Sequence, residues 1–355
     1  MTVQPVQPEE SGHPEHPVRI HDVVVVGGGA AGLSGALTLA RARRSVLVID
    51  AGSPRNAPAA HSHNYLTRDG APPLTLLAAG REEVTGYGGE IVTGSVVTAE
   101  RIEGGCFRVV REDGRTDLAR RLLVTSGLVD ELPKVPGLAE LWGRDVLHCP
   151  YCHGWEVRDQ AIGVLATGPA GVHQALLWRQ WSDRITLFLH TAPEPGDEEY
   201  EQLGARGISV VSGEVTGLDL TGARLTGVAL ADGRLIPAQA LVVAPRFAAR
   251  AGVLSGLGLR TTELEMFGQV MGSHITAGAT GATEVPGVWV AGNVTNLSDT
   301  VVGAAAAGVR AAAAINADLI AEETRRAVAA RRDVFSPQRE REVCELALGD
   351  RRHGL

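Results

Sequence analysis

Cysteine is scarce in this chain of 355 residues: there are four. That is too few for the disulfide framework of a secreted domain, and it points to a reducing, cytoplasmic setting. Aromatics are few as well, with five Phe, five Trp and four Tyr beside 44 Gly. This balance speaks against an aromatic-rich sandwich and for tight βα turns and nucleotide-cradling loops. No basic excess is present: 33 Lys and Arg stand against 41 Asp and Glu, a net charge of −8. A nucleic-acid groove or an anionic-membrane surface is therefore not expected. The stretch 1–19 lacks the apolar core of a signal peptide, carries four prolines and a Glu-Glu pair, and is expected to be a disordered leader. Val23 to Ala40 is eighteen residues without a charge, near a spanning length, yet five glycines break it into a strand, a turn and a helix. No membrane span is expected there. What remains is a soluble, globular composition, long enough for two domains.

Asp22-Val23-Val24-Val25-Val26 is β-branched in the manner of a buried strand. Gly27-Gly28-Gly29-Ala30-Ala31-Gly32 follows at once and opens an apolar-faced helix. Ser45 to Asp50 is the next strand, ending in a carboxylate 23 residues after Gly27. This is G-x-G-x-x-G in its proper setting. The glycines allow a pyrophosphate to approach the backbone and the helix N-terminus, so Gly27, Gly29, Ala31 and Gly32 are expected to hold a dinucleotide. Asp50 is expected to take the adenosine ribose hydroxyls. Two further segments, which resemble the T-x-G and late segments of two-dinucleotide flavoproteins, favour FAD over NAD: Thr125-Ser126-Gly127 after a strand, and Gly292-Asn293 at the end of the turn and strand that begin at Val285. Asp299 is placed to cap a helix from Val301 to Leu319, so Val301 and Val302 complete the expected flavin contacts. In the loop between, Asn56 and His63 are expected to fold against flavin or substrate. His61 and His63 alone make half a metal site with no matching partner, and no metal is expected.

Cys149-Pro150-Tyr151-Cys152-His153-Gly154-Trp155-Glu156 lies mid-chain. Cysteines two residues apart can close and reopen a disulfide with little backbone movement. A helix starting at Cys152 would favour its thiolate. Half a zinc site and an inert disulfide are the bland alternatives; a four-cysteine zinc site lacks a second pair, since only Cys106 and Cys344 remain. His153 can take a thiol proton near pH 7. His148 is a weaker candidate.

A second strand–turn–helix follows: Ala161 to Leu165, Ala166-Thr167-Gly168-Pro169-Ala170-Gly171, then a helix from Val172 to about Trp181. Here Ala166 replaces the first glycine of the fingerprint and Pro169 removes an N–H donor. Beyond the next strand, Ile185 to Leu203 contains no Lys or Arg for a 2′-phosphate but does hold Glu194, Asp197, Glu198, Glu199 and Glu201. An NADPH pocket that has lost its function is the expectation.

Over about Ile20 to Ile320 the sequence resembles the low-molecular-weight thioredoxin reductases. Its Cys-Pro-Tyr-Cys-His-Gly-Trp-Glu segment is similar to that of the FAD-dependent dithiol oxidases of gliotoxin, holomycin and romidepsin biosynthesis. The resemblance implies an α/β fold with two dinucleotide-binding-type domains: a Rossmann-type FAD domain (20–128 and 247–320) and an inserted, degenerate redox domain carrying the cysteines (129–246). A helical tail (321–355) follows. It further implies a homodimer, Cys152 as the sulfur nearest the flavin, Cys149 as the outer sulfur that meets a small-molecule dithiol, and molecular oxygen as acceptor. Asn293 departs from the reductases, which carry Asp there. Two rival functions stand beside the oxidase: a disulfide reductase fed by NADPH or ferredoxin, and a flavin redox sensor without turnover.

Overall fold

The computed structural model describes residues 19–334 and 336–348. The expected leader, apart from Arg19, and the end of the expected tail lie outside the described residues. The first strand, Ile20–Val26, sits between Val46–Asp50 and Thr116–Val124, parallel to both. Glu90–Thr93 and Val288–Val290 add further parallel strands, and Phe107–Arg111 and Val96–Arg101 form an antiparallel wing. Val23 through Val26 are all buried, as a parallel strand covered on both faces must be. One cover is the helix Ala30–Arg41, crossed by the long helix Val301–Val334. Small residues let these two backbones approach: Gly35 faces Gly308, where a Cβ would collide with the Ala31 carbonyl.

A second sheet, all parallel, runs Ser209–Val211, Ile185–Phe188, Ile162–Leu165, Ala240–Val243, Val146–Leu147. A three-stranded antiparallel ribbon, Val215–Thr221, Arg224–Leu230 and Leu235–Pro237, packs on it. The chain leaves the first unit along Leu128–Glu131 and returns along Arg246–Ala249, and these two strands pair antiparallel. The domain boundaries expected at 128/129 and 246/247 fall in that pair. Gln269–Ile275 and Thr261–Met266 extend the same sheet as a hairpin.

Some elements differ from expectation. The helix expected from Val172 to Trp181 spans Ala170–Trp178. The helix expected to end at Leu319 continues to Val334. Arg44, just before Val46–Asp50, and Arg120 and Arg121, on the central strand Thr116–Val124, hold Asp318, Glu322 and Glu323 on its second half, so the start of the expected helical tail is docked on the first unit. Asp299 does not cap this helix: the Gly303 N–H reaches Thr300 Oγ1 (3.4 Å), while the Asp299 carboxylate accepts from Asn296 Nδ2 (2.7 Å). Among the helices of the described residues, Val301–Arg332 is the one long and apolar enough to cross a membrane by length and composition. Its Ala311, Ala312, Ile315 and Leu319 are fully buried in the core of the first unit.

Candidate active site

The glycine-rich turn is held by close contacts. Thr125 Oγ1 donates to the carbonyls of Val26 (3.0 Å) or Gly27 (2.8 Å), locking the turn against the neighbouring strand end. Gly27 has φ +102°, and a Cβ there would lie 2.6 Å from the Thr125 carbonyl oxygen. Gly32 leaves no room for a methyl beside the Gly27 carbonyl, whereas Gly29 faces open space. The Gly28 N–H donates to Asp50 Oδ1 (3.0 Å), and Arg81 pairs with Asp50 Oδ2. These residues open onto a cavity of about 850 Å³ between the two units. Gly27, Gly29, Ala31, Asp50, Asn56, Thr125, Gly127, Gly292, Asn293 and Val301 line it. Gly32 does not, being packed behind the turn, and Val302 faces outward instead of the cavity. A glycine cradle with open space over Gly29 and a strand-end carboxylate fits the pyrophosphate and ribose of a flavin dinucleotide.

Asn293 has a local explanation. Its Nδ2 donates to the carbonyls of Asn296 and Asp299, both at 3.0 Å, folding the side chain over the turn before the long helix. An ionised Asp could not donate to these carbonyls, so the turn makes use of the amide here.

Cys149 and Cys152, joined as a disulfide, line the same cavity, with His153 beside them. The helix here spans only Pro150–His153, with Cys149 at its N-cap and Cys152 inside the turn. The expected thiolate stabilisation from a helix beginning at Cys152 is therefore not built: a single turn sums too few peptide dipoles. His153 is pushed below the ordinary histidine value of 6.5, chiefly by burial, with Glu156 opposing and His63 and His148 adding to the depression. It is thus a neutral base at pH 7. His148 is bound to the Val243 carbonyl (3.2 Å) and packs edge-on against Phe247, a packing role.

His21, His148, His153 and His190 all lie below 6.5, burial being the first cause in each. The unfolded chain binds these protons at about 6.5 and the folded one only at lower pH. Stability is therefore fully present above 6.5 and falls as pH drops through the folded values. Thermal melts should show a lower Tm at pH 5.5 than at pH 7.5; a flat profile across that window would contradict it.

The loop 61–69, from the first unit, closes over the cysteine turn. Asn64 Nδ2 donates to the Tyr151 carbonyl (2.6 Å), and His63 stands between Asp69 (Nδ1 to Oδ2, 3.4 Å) and Glu156 (Nε2 to Oε1, 3.3 Å). His61 and His63 lie 6.1 Å apart, and among the described residues no group of three or more His, Cys, Asp or Glu is arranged to hold a metal. Of the aromatics near the cysteines, Trp142 lines the cavity; Tyr151 and Trp155 face solvent.

The turn of the second unit is crowded on one side, and a cavity of only about 60 Å³ remains over it, bordered by Glu194 and Glu199. Gln269, from the hairpin of the first unit, sits where a Cβ of Gly168 would be, and Phe267 stacks on His173 (5.1 Å, 25°). A Cβ on Gly171 would collide with that of Ala166. His190, at the strand end where a ribose-binding acid belongs, accepts the Val215 N–H (3.0 Å). Sequence reasoning did not find Gln269, or Arg55, which lines the cavity, pairs doubly with Asp130 (2.6 and 2.8 Å) and lies over Phe247.

Comparison with known proteins agrees with this construction. The model of the family described as pyridine nucleotide-disulphide oxidoreductase matches residues 21–312. Thioredoxin reductase sirT of Leptosphaeria maculans is 31% identical over 313 residues, which are 84% of this chain and 94% of that one. Thioredoxin reductase tcpT of Claviceps purpurea (strain 20.1) is 37% identical over 177 residues, 48% of this chain; the match spans just over half of that relative, 55%. The crystal structure of HlmI superposes with a TM-score of 0.83 at 44% identity, covering 89% of this chain and 98% of HlmI. The chain belongs to the pyridine nucleotide-disulphide oxidoreductase family, with the thioredoxin reductase-like flavoprotein fold.

Proposed function

We propose that the protein is an FAD-dependent dithiol oxidase, closing a disulfide in a small-molecule dithiol with molecular oxygen as the final acceptor. The observation that carries this reading is that the Cys149–Cys152 disulfide shares one cavity with the flavin cradle, while the second turn carries Ala166 and Pro169, is pressed at Gly168 by Gln269 and faces Glu194 and Glu199. A substrate thiolate attacks Cys149 Sγ, the Cys149–Cys152 bond breaks, and Cys152 leaves as thiolate. The second substrate thiol then attacks the mixed disulfide, releasing oxidised substrate and a reduced cysteine pair. His153, neutral and facing the cavity, takes the proton of the attacking thiol. Gly27, Gly29, Asp50 and Thr125 would hold the flavin, which would supply an acceptor for the electron pair of the two cysteines and a route from there to oxygen, with hydrogen peroxide as the product. The cavity accommodates a small dithiol beside the cysteines, and by the family resemblance the enzyme works as a homodimer, with four cysteines in the chain pointing to the cytoplasm.

A second reading is favoured by the names of the relatives, several of which are called thioredoxin reductases: a reductase running the relay backwards from NADPH or ferredoxin. Anaerobic mixing separates the two. Under the oxidase reading dithiothreitol bleaches the flavin rapidly, NADPH and reduced ferredoxin do not, and in air each dithiol consumed yields one peroxide. Bleaching by NADPH or ferredoxin at a rate equal to that of the dithiol would establish the reductase.

A further inference from the structure

We propose that Arg55 is a positioning residue for the cysteine pair: it clamps the two strands that join the units at a single rung and, through Phe247 and His148, fixes where Cys149 stands relative to the cofactor cradle. The inference rests on the relay between the cysteines and a bound flavin, which the oxidase and reductase readings share. In that relay the reduced pair re-forms its disulfide while two electrons and their protons pass to the flavin, so a sulfur has to stand against the cofactor. The cysteines belong to the second unit and the cradle to the first. The units are joined covalently only by Leu128–Glu131 and Arg246–Ala249. A displacement of about 1 Å between reacting groups can cost on the order of 10²-fold in rate, so this connection decides how well the relay works.

A direct contact marks every step from the cradle to Cys149. Arg55 lies on the loop that follows Val46–Asp50, the strand whose end supplies the cradle's carboxylate. Its guanidinium donates twice to Asp130, from Nη2 to Oδ1 (2.6 Å) and from Nε to Oδ2 (2.8 Å). Its Cζ also stands 5.2 Å from the centre of the Phe247 ring. Asp130 and Phe247 are register partners across the outgoing and returning strands, so one side chain grips both strands at the same rung. On the second unit's side, Phe247 meets the His148 ring edge-on, the centres 5.2 Å apart at 74°. His148 is anchored in turn by its Nδ1 on the Val243 carbonyl (3.2 Å), and the next residue is Cys149. The Asp130 side chain is 8% exposed and that of Arg55 29%, so this is not a solvated surface bridge of negligible weight. With its fork spent on one carboxylate, Arg55 lines the cavity as a clamp and not as a free cation for substrate. Asn64 with Tyr151 and Phe267 with His173 also link the units, but from a loop and a hairpin end; Arg55 acts on the connection itself.

The test compares the flavin-loaded wild type with Arg55→Lys, Phe247→Leu and the double variant Arg55→Met/Asp130→Asn. The double variant is used because Arg55→Met alone strands a buried carboxylate. The first readout needs no turnover: in the oxidised resting enzyme, amide hydrogen exchange over 128–131, 149–153 and 246–249 should quicken on the order of tenfold in the double variant, with 23–41 unchanged. The second splits the relay during anaerobic mixing with dithiothreitol. Alkylation of Cys149 and Cys152, read by mass spectrometry, follows opening of the disulfide, and absorbance follows the flavin. The disulfide should open at the wild-type rate while flavin reduction slows about 10²-fold, so that a reduced pair accumulates beside oxidised flavin. Phe247→Leu should show the same split, and Arg55→Lys, which keeps the charge but loses the fork, a smaller one. Exchange raised throughout the chain would reduce the clamp to general stability, and loss of bound flavin would make Arg55 a cofactor contact. Either result overturns the proposal, as does flavin reduction at the wild-type rate. If dithiothreitol fails to reduce the wild-type flavin, the oxidase reading fails, and the exchange pattern still decides the role of Arg55.

Discussion

Serine at Cys149 or Cys152 is expected to leave a folded, yellow protein whose flavin dithiols no longer bleach. The reaction needs a sulfur that can be attacked and a sulfur that can leave, and an alcohol does neither at neutral pH. Anaerobic flavin reduction should fall by about a thousandfold or more, as when a covalent nucleophile is removed. The variants should differ in what they trap. Cys152→Ser retains the outer sulfur as a free thiol; given the oxidised substrate, Cys149 should attack its disulfide and hold it as a mixed disulfide, the substrate's other sulfur leaving as thiolate, visible by mass spectrometry. Cys149→Ser should accumulate none; the reverse pattern would exchange the roles of the two cysteines. The bond spans four residues, so its loss removes about 2 kcal/mol of loop-closure stabilisation. Reduced wild type, which also lacks it, is the proper thermal reference.

Gly32→Ala should be nearly as damaging by a different route. The added methyl overlaps the Gly27 carbonyl and comes within 2.7 Å of Thr125 Oγ1. Neither can yield easily, because Gly27 is itself pressed against the Thr125 backbone. The helix Ala30–Arg41 must then move off the strand end, at a cost of about 3 kcal/mol. Since that turn forms the cradle, the purified variant should be colourless and melt lower even when FAD is added. Retention of stoichiometric flavin at the wild-type Tm would show that the turn has slack that the geometry does not reveal.

Much of this was legible in the chain because it is local. The spacing from Gly27 to Gly32, the valine run before it and Asp50 after it are constraints among near neighbours, and they fix one βαβ unit. The cysteine pair and His153 are likewise contiguous. The defects of the second turn, Ala166 and Pro169, could be read one residue at a time. What sequence could not show are meetings between distant segments. Arg55 finds Asp130 and Arg81 finds Asp50 only once the first unit has folded, and His63 finds Glu156 only once the two units have met. Glu156 stood in the quoted motif, yet nothing in the spacing says that a loop some ninety residues earlier would reach it. The cap of the long helix went to Thr300 and not Asp299 because Asn296 competes for that carboxylate. One wrong helix start, at Cys152 instead of Pro150, came from treating a tight one-turn bend as an ordinary helix.

The hairpin end over Gly168 also bears on redesign. Restoring glycine at 166 and a donor at 169 would recreate the fingerprint on paper but leave Gln269 pressed on Gly168, with Phe267 braced on His173 beside it. Conferring nicotinamide dependence on this scaffold would therefore mean trimming a loop of the opposite lobe. That trimming would loosen the joint which holds the sulfur pair over the yellow prosthetic group.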